Sequence, residues 1–209
     1  MRKISLLLFI AISLSVFSQE EFILLENPDE LSKKIEQHSK NVFSIKSDFI
    51  QQKHLSILEE TLESKGNFLF KKTDKVKWQY SSPFDYTIIV ANGKFIIDNE
   101  GNTTEFDLSA NEIFRQINKM IVTAISGNFI GNNDFSVVFK ENENYYQAQL
   151  KPVEETVAEM LESINIYFNK ENLSVEKVKF VEPGSDYTLI IFENQMENVE
   201  INDSEFSVE

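Results

Sequence analysis

No cysteine occurs among the 209 residues, so neither a disulfide nor thiol chemistry can hold or run this fold, and its core must supply the stability unaided. Histidine is nearly absent too. His38 and His54 stand sixteen residues apart and form no metal-ligand spacing. Either could be read as a general base, but no nucleophile motif surrounds a serine or threonine, and a surface or half-buried histidine without a catalytic role is the better reading. No Gly-x-Ser-x-Gly, His-Glu-x-x-His, P-loop or Gly-x-Gly-x-x-Gly string is present, which removes the common hydrolase, zinc-protease and nucleotide-binding readings. Positive charge is also short: 20 Lys and Arg face 34 Asp and Glu, for a formal charge of −14. That balance argues against nucleic acid and anionic membrane surfaces and favours basic or electroneutral partners. Carboxylates are the one abundant reactive group. A glycosidase-like pair such as Glu59 and Glu63 can be drawn, but solvated loop charges are the simpler account.

Long apolar runs are missing except at the start. Arg2 and Lys3 precede the apolar stretch from Ile4 to Phe17, and Val16 and Ser18 place short side chains three and one before a cut at Gln19. The stretch is shorter than the roughly 20 apolar residues that cross a bilayer, and serines interrupt its second half. It reads as a signal peptide spanning residues 1–18, cleaved to leave residues 19–209 as a single exported domain. Its removal takes two positive charges and leaves −16. With no cysteine after it, the chain cannot be acylated as a lipoprotein is.

What the chain does have is phenylalanine, eighteen residues against one Trp and six Tyr. Aromatics suit pleated β faces, and the periodicity agrees. After a helix start at Asn27-Pro28-Asp29-Glu30, with Asn27 as cap, Leu31, Ile35, His38 and Val42 form one stripe of an amphipathic helix. The period then falls to two. Strands are expected at 48–57, 61–70, 76–80 and 86–90, and Asn92-Gly93 and Glu100-Gly101-Asn102 mark hairpin reversals around Phe95-Ile96-Ile97. In the third strand Val76, Trp78 and Tyr80 share one face, while Lys75, Lys77 and Gln79 form a wet one. Ser109-Ala110-Asn111-Glu112 is a capping box that opens a second helix running to Gly127. Further strands are expected at 135–139, 145–150, 163–168, 175–181 and 187–192, with a last one at 205–208. Alternation in Ile164, Ile166 and Phe168 points to a one-sided antiparallel sheet in a mainly β, α+β domain.

Four short motifs occur in a fixed order: Phe49-Ile50-Gln51-Gln52, Gly66-Asn67-Phe68-Leu69-Phe70-Lys71-Lys72, Trp78-Gln79-Tyr80-x-x-Pro83 and Val90-Ala91-Asn92-Gly93-Lys94. With them the chain resembles the periplasmic outer-membrane lipoprotein carrier family, called LolA-like. The likeness continues through Leu150-Lys151-Pro152, the strand Ile164 to Phe168, Asp186-Tyr187-Thr188 to Phe192, Asn198-Val199-Glu200-Ile201 and Phe206-Ser207-Val208. The resemblance implies an incomplete, strongly curved antiparallel β-barrel with helices covering its open side. The apolar cavity so enclosed would shield lipoprotein acyl chains without catalysis. It implies an inner-membrane release complex as donor and an outer-membrane receptor as acceptor, a monomer, and no cofactor.

For the cavity lining, the alternation singles out Phe68, Phe70, Val76, Trp78, Tyr80, Ile88 and Val90, and the helical spacing adds Ile113, Ile117, Met120 and Ile121. A sealed core would give the same pattern. By motif matching, the family's lid-latching basic residue falls on Lys72, where a lysine lacks the planar fork of an arginine, and an aromatic governing cargo transfer falls on Val76. These departures suggest a divergent branch carrying another lipid or a lipid-linked precursor. The other open readings are an exported hydrolase and a non-catalytic β-rich binding module.

Overall fold

The computed structural model describes residues 21–108, 122–123, 129–130 and 133–207. Helix α1, Pro28–Asn41, starts at the expected proline, with Asp29 and Glu30 in its first turn, but the Asn27 side chain makes no capping bond. Leu31 and Ile35 bury the stripe read from the sequence. Among the described residues the capping-box helix is represented by Val122 and Thr123, both helical. Ile113, Ile117, Met120 and Ile121 lie outside the described residues.

Twelve strands form one antiparallel sheet: β1 (Ile23–Leu24), β2 (Ser44–Leu55), β3 (Glu60–Lys71), β4 (Lys75–Ser82), β5 (Tyr86–Ala91), β6 (Lys94–Asn99), β7 (Asn102–Asp107), β8 (Phe135–Glu141), β9 (Tyr145–Pro152), β10 (Ser163–Asn169), β11 (Val175–Val181) and β12 (Tyr187–Glu197). Between β9 and β10 lies one helical turn, α2 (Glu155–Ala158). In space the order is β1-β8-β9-β10-β11-β12-β2-β3-β4-β5-β6-β7. Two sequential meanders are thus joined where β12 pairs with β2, from Tyr187↔His54 to Glu197↔Ile45. The sheet is curved and unclosed, with β1 and β7 at its edges.

The hairpins follow turn chemistry. Asn92 and Gly93, and then Glu100 and Gly101, all take positive φ, as the two-residue turns between twisted strands require. Gly66 answers a different need. A Cβ there would lie 2.0 Å from the Gln79 carbonyl oxygen and 2.9 Å from the Phe49 ring, at the bulge where β3 and β4 shift register.

Alternation divides the apolar residues between two clusters. The larger, on the concave face, runs from α1 through Phe49, Phe68, Phe70, Trp78, Leu150, Ile164, Ile166, Phe168, Val178 and Phe192. The smaller lies behind β5 and β6: Ile89, Ala91 and Ile96 meet Ile201 and Phe206. Two expectations are corrected here. In place of a strand beginning at 205, Asp203–Phe206 is a 3-10 turn, entered from Asn202, whose side chain accepts from the Ser204 amide. Nor is the face bearing Lys75 and Lys77 simply wet. The C-terminal segment lies across it, Lys71 and Lys75 pairing with Asp203 at 2.6 and 3.1 Å and Lys77 with Glu205 at 3.0 Å.

Candidate functional site

The concave face is assembled rung by rung from cross-strand partners. Phe68 faces Trp78, which faces Ile88; Phe70 faces Val76, which faces Val90; Gly66 faces Tyr80, which faces Tyr86. All seven sheet residues singled out from the sequence therefore share one surface. Phe68, Phe70, Val76, Trp78, Tyr80 and Val90 are buried and Ile88 is half-buried against them. The sheet's own geometry does this: with a two-residue period, matching register in three adjacent strands is enough to stack the same face.

Aromatic rings make up much of that surface. Phe68 and Trp78 lie 4.5 Å apart between centroids, Phe49 stands edge-on to Trp78 at 4.9 Å and to Tyr80 at 5.0 Å, and Phe192 reaches Phe68 at 5.3 Å. Such pairs add to the burial of their area. Phe49 and Phe192 belong to this surface although the cavity reading left them out; both were visible only as parts of segments that carry the family resemblance. Its place depends on Gly66, whose missing side chain leaves room for the ring.

Two polar groups interrupt the apolar surface. The Tyr80 hydroxyl donates to Gln51 Oε1 at 2.9 Å while its ring stacks on Tyr86 at 4.2 Å, and burial pushes its pKa upward. The Ser47 hydroxyl, on the same side of β2 and opposite Phe68, is buried and has no partner among the described residues. An unsatisfied buried hydroxyl costs about 1–3 kcal/mol.

At the rim, the β4–β5 and β6–β7 turns border an open groove of about 640 Å³, lined by Pro83, Phe84, Asp85, Tyr86, Ile97, Asn99 and Glu100. Tyr86 and Ile97 also pack against the concave cluster, so the groove is continuous with it.

Lys72, matched to the lid latch, is exposed and extends its ammonium to the Lys40 carbonyl near the end of α1, 3.0 Å away; its amide donates to Phe43 at 2.9 Å. The contact is a single donor at a helix C-terminus, where a cation is favoured. Val76, matched to the family's aromatic, is only 1% exposed.

The remaining candidates separate. His38 bonds Glu197 at 3.1 Å between α1 and β12, and His54 stacks on Tyr187 at 5.0 Å. Glu59 sits at the β2–β3 turn with positive φ. Glu63 accepts from Lys65 and Gln52, which hold its carboxyl below the ordinary range, the opposite of what a general acid needs.

The model of the family described as outer membrane lipoprotein carrier protein LolA matches residues 40–209. An outer-membrane lipoprotein carrier protein of Francisella tularensis subsp. novicida is 29% identical over 169 residues, covering 80% of this chain and 78% of that one. Among solved structures, an uncharacterized conserved protein from Thermus thermophilus superposes with a TM-score of 0.50 at 6% identity, over 84% of this chain and 92% of that one. A LolA superfamily protein from Nitrosomonas europaea gives 0.44 at 10% identity, over 85% and 97%.

Proposed function

Because the chain belongs to the LolA family of outer membrane lipoprotein carriers, we propose that it is a periplasmic carrier that holds acyl chains against the concave face of its sheet. In this reading it takes lipoproteins from an inner-membrane release complex and delivers them toward the outer membrane, as a monomer and without chemistry. The observation that carries it is the continuous apolar and aromatic surface from Phe49 to Val90 on one side of an unclosed sheet. Shielding matters physically because each CH₂ left in water costs about 0.8 kcal/mol, so a chain of ordinary length does not leave a bilayer unaided. The groove beside Tyr86 and Ile97 is the proposed entrance. Residues 1–18 act as a cleaved export signal, and residues 19–209 as one carrier domain.

Ile113, Ile117, Met120 and Ile121 are the proposed lid side of the same cavity, and Lys72 its latch. The single Lys72 bond to α1 favours a second reading within the same class: a lid held more loosely than a forked arginine would hold it, and a cargo other than triacylated lipoprotein, such as another lipid or a lipid-linked precursor. Mass spectrometry of the protein purified from the periplasm, before and after organic extraction, distinguishes the two. Acylated lipoprotein supports the first and a smaller lipid the second. A protein that co-purifies with neither and ignores added acyl chains contradicts both.

A further inference from the structure

Eleven large apolar side chains are well exposed among the described residues, and six of them, Ile57, Leu58, Leu62, Phe84, Val153 and Met160, gather at one end of the sheet. The antiparallel order puts the β2–β3, β4–β5, β9–β10 and β11–β12 connections there. Ile57 projects furthest into water, 93% exposed. β2 and β3 remain paired out to Leu55↔Glu60, whereas β4 leaves β3 at Lys65↔Ser82. The hairpin therefore runs five residues past β4, roughly 16 Å at about 3.3 Å per residue, while on its other side β12 accompanies β2 as far as Tyr187↔His54. Its tip is braced on one side: the Ser56 amide and hydroxyl both donate to Asp186 Oδ1, at 2.7 and 2.6 Å. Ile57 and Leu58 thus stand in water on a tip that is braced on the β12 side and open on the β4 side.

Shape and charge decide what meets them. A convex tip with two or three aliphatic side chains covers far less than the roughly 800 Å² per partner of a stable protein interface, whereas entry among lipid headgroups asks only for projecting apolar groups. The charges around the tip are mainly negative. Glu59 and Glu60 have no ion-pair partner among the described residues, while Lys65 is engaged by Glu63 and Lys53 by Glu182. Free carboxylates beside an apolar wedge complement the ammonium of a zwitterionic, amine-bearing headgroup and oppose an anionic one.

We propose that the β2–β3 tip is a membrane-docking wedge, which inserts Ile57 and Leu58 into a leaflet of zwitterionic amine-bearing lipid while Glu59 and Glu60 meet the headgroup ammonium. It rests on the carrier reading for its purpose, bringing the groove beside Phe84 to the leaflet from which acyl chains are drawn. Attachment through two side chains is brief, which lets a carrier leave again.

The test is flotation of the mature protein with phosphatidylethanolamine/phosphatidylcholine vesicles, alongside binding of a fluorescent fatty acid by the same samples. Wild type floats; the double variant Ile57→Asp, Leu58→Asp floats at least about tenfold less and keeps its fatty-acid binding. Replacing about a third of the lipid with phosphatidylglycerol lowers flotation, and salt restores it. Tryptophan emission of Ile57→Trp shifts to shorter wavelength when vesicles are added. Absence of wild-type flotation, equal flotation of the double variant, or tighter binding to phosphatidylglycerol overturns the wedge. A protein that floats but binds no fatty acid sinks the carrier reading and leaves the wedge standing; one that binds fatty acid but does not float does the reverse.

Discussion

The two sides of β3 to β6 are built from the same alternating strands and are covered in different ways. Toward the concave side, Phe68 and Trp78 meet the rings of Phe49 and Phe192, and α1, set over the start of β2 and over β10 to β12, is tied by hydrogen bonds to Lys72 and Glu197. Toward the convex side, Ile89, Ala91 and Ile96 meet a segment of the same chain, Ile201 and Phe206, fastened by Lys71, Lys75 and Lys77 to Asp203 and Glu205. Among the described residues, the convex side carries a strap tied by three ion pairs, and α1 on the concave side is tied through Lys72 and Glu197 by hydrogen bonds. The proposed carrier reading uses that asymmetry: the side proposed to open for cargo is the one without the strap, and the strapped side keeps the sheet's shape.

The largest expected effect comes at the point on which both faces depend. Gly66→Val sets side-chain atoms against the Gln79 carbonyl and the Phe49 ring, and we expect loss of cooperative unfolding by circular dichroism and no acyl binding. Phe68→Ala, at 0% exposed, should cost about 3–5 kcal/mol in urea denaturation and also weaken fatty-acid binding. Phe206→Ala, 3% exposed in the smaller convex cluster, should cost about 3 kcal/mol in the same titration and leave fatty-acid binding intact at temperatures where the variant is folded. If the two phenylalanine variants lose binding in parallel with stability, the faces are not functionally distinct.

A smaller effect concerns the strap's charges. Hydrogen bonds from Lys71, and then Lys75, hold the Asp203 carboxyl below its ordinary range. A carboxyl held lower in the folded than in the unfolded chain stabilises the fold above its unfolded value, about pH 3.9, and that contribution fades as pH falls through the folded value. Asp203→Asn should therefore flatten the acid limb of a stability-versus-pH curve, with fatty-acid binding at neutral pH unchanged.

The strands were readable because alternation is local: Val76, Trp78 and Tyr80 announce a sided strand without reference to any neighbour. The same holds for α1, where Pro28 and the stripe from Leu31 suffice, and for the Asn92-Gly93 turn. What alternation does not encode is the identity of the covering layer. Lys75 and Lys77 look solvated in sequence, and only the return of residues 198–207 across the back of the sheet covers them. The pairing of β12 with β2 joins positions more than 130 residues apart, a contact for which no local pattern exists. The start of β2 at Ser44 was missed because Ser44 and Ser47 are small polar residues buried on opposite faces, Ser44 by its bond to the Val199 carbonyl and Ser47 against Phe68. Of the proposed site, the seven sheet residues share one face because period and register agree, while Phe49 and Phe192 went unread, since their place on the concave face depends on the β12–β2 seam.

The central claim is that the concave face takes up acyl chains. Its most direct measurement is displacement of a fluorescent fatty acid from the purified protein, compared between wild type, Trp78→Ala and Phe206→Ala at a temperature where all three are folded. The account predicts saturable binding that is lost in Trp78→Ala and retained in Phe206→Ala. Binding that is absent in wild type, or equally weakened by both substitutions, would contradict it.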